Sequence, residues 1–203
     1  MRLLSLLAFA ALALSASGCD TTDVYETRAT YVDFRLDTSD RDNVISADGR
    51  VASFDDRDVI SSDDQARLRS ALARAGDGAL VIAYVNSDLL FDGASTGQTY
   101  SALPLTRGYE AFIDSDGDGT LDTPLVDYTV SYEYSFDNEA FYFDVTSSAE
   151  LLQLPVETLD VLIPAAIDFR VVTLPASAAL GQAGARIDLR DYEAVKAAYG
   201  LPD

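Results

Sequence analysis

The sequence predicts a mainly β protein, an antiparallel β-sandwich of about seven to nine short strands with two peripheral helices. Three observations predict it. The 203 residues include 27 Asp but 7 Glu, and 13 Arg but one Lys. Aspartate suits turns and loop ends, where its side chain bonds nearby amides, whereas glutamate and lysine suit helix faces. Second, apolar and polar residues alternate through several segments, most clearly from Leu125 to Phe136. Third, turn signals such as Asp48-Gly49, Asp92-Gly93 and Asp137-Asn138 punctuate those segments.

The first eighteen residues, 1–18, read as a secretory signal peptide. Met1 and Arg2 precede an uncharged apolar run from Leu3 to Ser17, too short to span roughly 30 Å of hydrocarbon as a helix. Its exit is Ala16-Ser17-Gly18-Cys19, and Cys19 is the single cysteine of the chain. An unpaired thiol in an oxidising compartment is a liability. The exit resembles the lipobox of bacterial lipoproteins, with Ala16 where that pattern usually has leucine. The resemblance implies cleavage before Cys19, lipid on its sulfur, and a membrane anchor in the cell envelope. Acyl chains contribute roughly 0.8 kcal/mol per buried CH₂, so two or three anchor firmly without a spanning helix. Residues 19–29 then read as the lipidated cysteine and a polar tether, and 30–203 as one β-sandwich domain.

Within that domain Tyr31–Leu36 alternates and predicts the first strand. Asn43–Phe54, two apolar runs around Asp48-Gly49, predicts a hairpin. Ser61–Gly78 predicts a helix near 62–75. Ser62 and Gln65 form a capping-box pair, Leu68, Leu72 and Ala75 a narrow apolar stripe, and Gly76 the stop. Such a narrow stripe suits a helix on the edge of the domain. Ala79–Val85 is a continuous apolar run and predicts a buried strand. Residues 86–106 read as loop with a weak strand at Tyr100–Leu103, and Gly108–Asp114 leads into an acidic loop. Leu125–Phe136 and Ala140–Ser147 predict a hairpin across Asp137-Asn138. The runs at Leu159–Ile163 and Ile167–Leu174 predict two more strands, separated by Pro164. A closing helix is predicted near 189–199, with Asp188 as N-cap and Gly200 and Pro202 as stop signals.

Several of these pieces together resemble a group of small lipoproteins of Bacteroidetes-type bacteria. They are the VDF strand at Val32–Phe34, LVIAYV at Leu80–Val85, Leu103-Pro104, the Tyr/Phe-rich hairpin, FRVV-x-x-P at Phe169–Pro175 and D-x-x-x-YE-x-V-K at Asp188–Lys196. The resemblance implies a secreted β-sandwich and supplies no activity. Many members carry a tryptophan before the Leu-Pro pair; this chain has none.

The stretch Ile113–Asp122, IDSDGDGTLD, is the candidate metal site. Laid on an EF-hand-type loop, Asp114, Asp116 and Asp118 take the first, third and fifth positions. Gly119 takes the sixth, Thr120 offers its carbonyl at the seventh, and Asp122 takes the ninth. Calcium accepts six to eight oxygens in irregular geometry. The twelfth position holds Leu125 instead of glutamate and the flanks read as strands. The loop therefore resembles the D-x-D-x-D-G loops of secreted calcium modules, and a further carboxylate has to come from Asp127 or another loop. The competing reading is a solvated turn in an aspartate-rich chain.

Composition excludes much chemistry. Without histidine there is no Ser-His-Asp triad and no Cys-His pair. Zinc sites of the His/Cys kind and phosphate-binding glycine loops are also missing. A formal charge of -20 repels nucleic acid. The sequence therefore points to a non-catalytic, lipid-anchored envelope protein that meets a glycan, a peptide or a protein, with calcium as a structural ion. A carboxylate-dependent, glycosidase-like hydrolase and an accessory subunit of an envelope complex are the alternatives.

Overall fold

A computed structural model describes residues 28–88, 99–111, 120, 126–137, 140–175 and 187–202. The strands are β1 (Thr30–Asp37), β2 (Val51–Asp55), β3 (Leu80–Asn86), β4 (Tyr100–Ala102), β5 (Leu105–Ala111), β6 (Val126–Phe136), β7 (Phe141–Ser147) and β8 (Ala166–Leu174). The α-helices are α1 (Arg41–Val44), α2 (Ser62–Ala73), α3 (Val156–Leu162) and α4 (Tyr192–Tyr199). Two antiparallel four-stranded sheets run in the orders β1-β8-β3-β4 and β2-β7-β6-β5. They pack as the predicted β-sandwich with helices at its periphery.

The core lies where the inner faces of the sheets meet. Phe34 and Phe169 of the first sheet stack with centroids 5.2 Å apart. Phe141 and Phe143 of the second meet Phe169 edge-on at 5.8 and 4.9 Å. The alternation of β6 buries Tyr128, Val130 and Tyr132, while Asp127, Thr129 and Glu133 face water. A buried phenol usually finds a hydrogen-bond partner, and the Tyr132 hydroxyl donates to the Leu162 carbonyl at 3.2 Å.

The continuous apolar run of β3 also has a physical reason. Val81, Ala83 and Val85 face the inter-sheet core, and Ile82 and Tyr84 face a second cluster with Val172, Tyr192, Val195 and Leu201. The first sheet is covered on both faces, so its central strands lose the alternation. Tyr84 donates to the Leu189 carbonyl at 2.8 Å and tethers the approach to α4.

Arg170 holds that outer cluster together. Its residue is 2% exposed. Two guanidinium nitrogens reach Asp33 at 2.5 and 2.8 Å, a third donates to the Pro202 carbonyl at 3.0 Å and to the Tyr192 hydroxyl. The rings of Tyr31, Tyr100 and Tyr192 lie 5.0, 4.8 and 5.5 Å from it. Burial works against the charge, but the bonds to Asp33 and Tyr192 outweigh it and hold the guanidinium above its ordinary value. The C-terminal helix is thus fastened to the sheet by one buried cation.

Several boundaries depart from the sequence reading. Asn43 and Val44 belong to the short helix α1, and Ile45 makes only an isolated bridge to Ala52. The turn at Asp48-Gly49 survives, with Gly49 at φ 71°, but β2 pairs with the distant β7 instead of closing a hairpin. Helix α2 is capped by Ser61, which accepts from the Asp64 amide, and Gln65 is diverted to the Asp56 carbonyl. The predicted box of Ser62 and Gln65 therefore does not form. Past Ala73 the chain tightens into a 3₁₀ turn, Arg74–Asp77, and the left-handed residue that ends it is Gly78, not Gly76. Leu68, Ala71 and Leu72 are buried against the core, with α2 lying mainly over β1, an edge strand.

The run Leu159–Ile163 is helical, not a strand. Pro155 starts α3, Glu157 lies in its first turn, and Leu159 and Leu162 are buried three residues apart. The N-cap of α4 is Asp191, which accepts from the Ala194 amide at 3.1 Å, not Asp188. Gly200 ends α4 at φ 65°, as expected of a C-cap. The weak strand at Tyr100–Leu103 is β4, and the Leu103-Pro104 peptide that follows is cis.

Candidate functional site

The candidate site is the foot of the β5–β6 hairpin, the two strands that flank the acidic loop. Antiparallel pairing runs Leu105↔Tyr132, Gly108↔Thr129, Tyr109↔Tyr128, Glu110↔Asp127 and Ala111↔Val126. Alternation puts Thr106, Gly108 and Glu110 on one face with Asp127, Thr129 and Ser131. Glu110, Asp127 and Thr129 are exposed. The hydroxyls of Thr106 and Ser131 meet at 2.9 Å on that face. Glu110 and Asp127 stand directly opposite each other, one residue pair from the loop.

Like charges set directly across a strand pair repel. A divalent cation held by both would offset that repulsion, since opposite charges a few ångströms apart attract and calcium takes carboxylate oxygens. The site also has room. A hollow of about 630 Å³ is lined by Gly108, Tyr109, Glu110, Asp127, Tyr128, Thr129 and Ser148. A Cβ at Gly108 would meet nothing within 4 Å, so the hollow continues over that position. Ser148 closes one side: its hydroxyl accepts from the Thr129 amide and its own amide donates to the Thr129 carbonyl, both at 2.9 Å.

Beneath this face the strands are anchored by aromatics. Tyr109 stacks on Tyr128 at 5.7 Å. Tyr128 is buried, its hydroxyl has no hydrogen-bond partner among the described residues, and burial, then neighbouring Tyr109, push its pKa up to about 12. It stays protonated and serves packing.

Of the residues named from the sequence, Thr120 is exposed at the surface. Asp114, Asp116, Asp118 and Asp122, like Cys19, lie outside the described residues. Asp127, named as a supplementary carboxylate, is placed at the foot of the loop. Glu110 was not named. The signal was available: once two strands are assigned to either side of one loop, hairpin pairing sets Glu110 against Asp127. Among the described residues no group of three or more Cys, Asp or Glu side chains is set to hold a metal ion. Among them, too, no helix is long and apolar enough to cross a membrane.

Fold and site together describe an antiparallel β-sandwich with a carboxylate-bearing hairpin foot. No family model matches the chain, and neither a curated protein nor a solved structure matches it.

Proposed function

We propose that the protein is a lipid-anchored component of a bacterial cell envelope with a non-catalytic binding or structural role, held by lipid on Cys19 and tied by calcium at the 114–122 loop. The observation that carries the anchor is a lone cysteine at the end of a signal-like apolar run. The calcium reading is supported by the spacing of Asp114, Asp116, Asp118 and Asp122, with Thr120 between them. The opposed pair Glu110 and Asp127 adds oxygen ligands at the foot of the same hairpin. Affinity is expected at about 10⁻⁴ to 10⁻³ M, as in extracellular modules. The ion's work is structural: it fastens the loop and offsets local charge.

One observation favours the hydrolase alternative, since Glu110 and Asp127 face each other beside a hollow. Both are exposed, whereas a carboxyl that acts as general acid at neutral pH needs an apolar surrounding to stay protonated. Open, hydrated carboxylates serve better as calcium ligands.

The anchor is tested by growing cells that express the protein with radiolabelled palmitate. The protein is expected to carry label and to fractionate with membranes, and Cys19→Ala to lose both. Label retained in Cys19→Ala, or none in the unaltered protein, would refute the lipid.

A further inference from the structure

We propose that the groove between β4 and the start of α4 binds an extended peptide by strand addition, with Arg190 pairing the peptide's carboxylate. The proposal supplies a partner class for the binding role above and rests on that role, but it involves neither the calcium loop nor the lipid.

Among the described residues β4 is the outer strand of its sheet, with β3 on one side. Its register is Tyr84↔Ala102, Val85↔Ser101 and Asn86↔Tyr100, and the Leu103 amide bonds the Ala83 carbonyl at 3.0 Å. Ladder bonds alternate along an antiparallel pair. Ser101 and Leu103 therefore turn their backbone groups to β3, and Tyr100 and Ala102 turn theirs to the open edge. An edge of this kind is a template for another strand. Pro104, which has no N–H, ends it. The edge thus suits one short segment and not open-ended sheet growth.

Beside this edge lies a groove of about 670 Å³, lined by Thr99–Leu105 and by Arg190–Glu193. Its size falls in the range of ligand sites. Its floor is an aromatic cluster, in which Tyr100 and Tyr192 pack at 5.0 Å and both lie against buried Arg170. The charges that line it are unequal in availability. Asp191 is engaged in capping α4, and Glu193 pairs with Lys196 at 3.3 Å. Arg190 is exposed, and its guanidinium has no partner among the described residues. Elsewhere Arg35, Arg41, Arg57, Arg67, Arg69 and Arg170 are each paired with an aspartate. Arg190 is the one basic residue among the described residues lining the groove, and an open guanidinium beside an open strand edge pairs with a carboxylate. That carboxylate belongs to the peptide's C-terminus or to an acidic side chain.

The test is an amide chemical-shift titration of the protein, in calcium and in chelator. The probes are short blocked peptides of alternating valine and threonine in three forms: free C-terminal acid, C-terminal amide, and amide with one internal glutamate. Shifts are expected at Tyr100 and Ala102. At least one carboxylate form is expected to bind about two- to fivefold tighter than the neutral amide, as for an exposed ion pair. Which form wins identifies the source of the carboxylate. Arg190→Gln is expected to erase that preference and leave the melting temperature unchanged. Absence of binding, shifts confined to another face, or equal binding of all three forms overturns the proposal. So do concentration-dependent shifts at Tyr100 and Ala102 without peptide, which would assign the edge to a second copy. The same shifts in calcium and in chelator would leave the groove standing even if the calcium reading fails.

Discussion

Phe169→Ala is expected to lower stability by about 3–5 kcal/mol, the range for deleting a buried phenylalanine. Phe169 is 1% exposed and is the ring on which the two sheets meet. It touches Phe34 in its own sheet and Phe141 and Phe143 in the other. Removing it takes away apolar transfer energy and leaves a void that three aromatic rings cannot all close. Folded domains are stable by only about 5–15 kcal/mol, so the loss is a large fraction of the total. Urea unfolding followed by circular dichroism measures it, with Phe169→Leu as the milder companion that keeps most of the volume. A shift of the midpoint no larger for Ala than for Leu would show that the sheets do not meet at this ring.

The second large effect is at Arg170, where the order of two substitutions matters more than their sizes. Asp33→Ala leaves a buried guanidinium without its carboxylate. Breaking a buried pair in this way costs about 3–5 kcal/mol. The lower end applies here, because the Asp33 side chain is 45% exposed while that of Arg170 is 3% exposed, and water replaces part of what is lost. Arg170→Met leaves only the solvated Asp33 and fills the space among Tyr31, Tyr100 and Tyr192 with a flexible apolar chain. It is expected to be the less damaging of the two in urea unfolding. Hydrogen exchange should show its residual effect in α4, which loses the bonds to Tyr192 and Pro202. The reverse order would mean that the cation's own hydrogen bonds, and not the unpaired charge, dominate the cluster.

Much of this fold is legible in the sequence where alternation or a long apolar run is unambiguous. Tyr31–Leu36, Leu80–Val85, Val126–Phe136 and Phe141–Ser147 lie in β1, β3, β6 and β7. The segment Leu159–Ile163 is not legible, because a five-residue run that is apolar except for Asp160 suits a buried strand and a short helix equally. Pro155 and Glu157, lying upstream, decide it. The Asn43–Phe54 hairpin fails for another reason. A local turn at Asp48-Gly49 competes with β7, whose Phe143 and Val145 offer a buried face to Phe54 and Ala52, and tertiary packing overrides the local signal. At the candidate site the hairpin foot follows from the strands on either side of the loop. The β4 edge and Arg190 do not, since which strand lies outermost depends on β8, far along the chain, inserting between β1 and β3. Arg170 looks like a surface cation in Ile167–Leu174 until α4 is laid over it.

The most direct measurement of the functional account is thermal unfolding of the protein in excess calcium and in chelator. The account predicts a higher melting temperature in calcium, lost in Asp116→Ala plus Asp118→Ala and reduced in Glu110→Gln plus Asp127→Asn. An unchanged melting temperature up to about ten millimolar calcium, well above the range for extracellular modules, would contradict it and make Ile113–Asp122 a solvated turn.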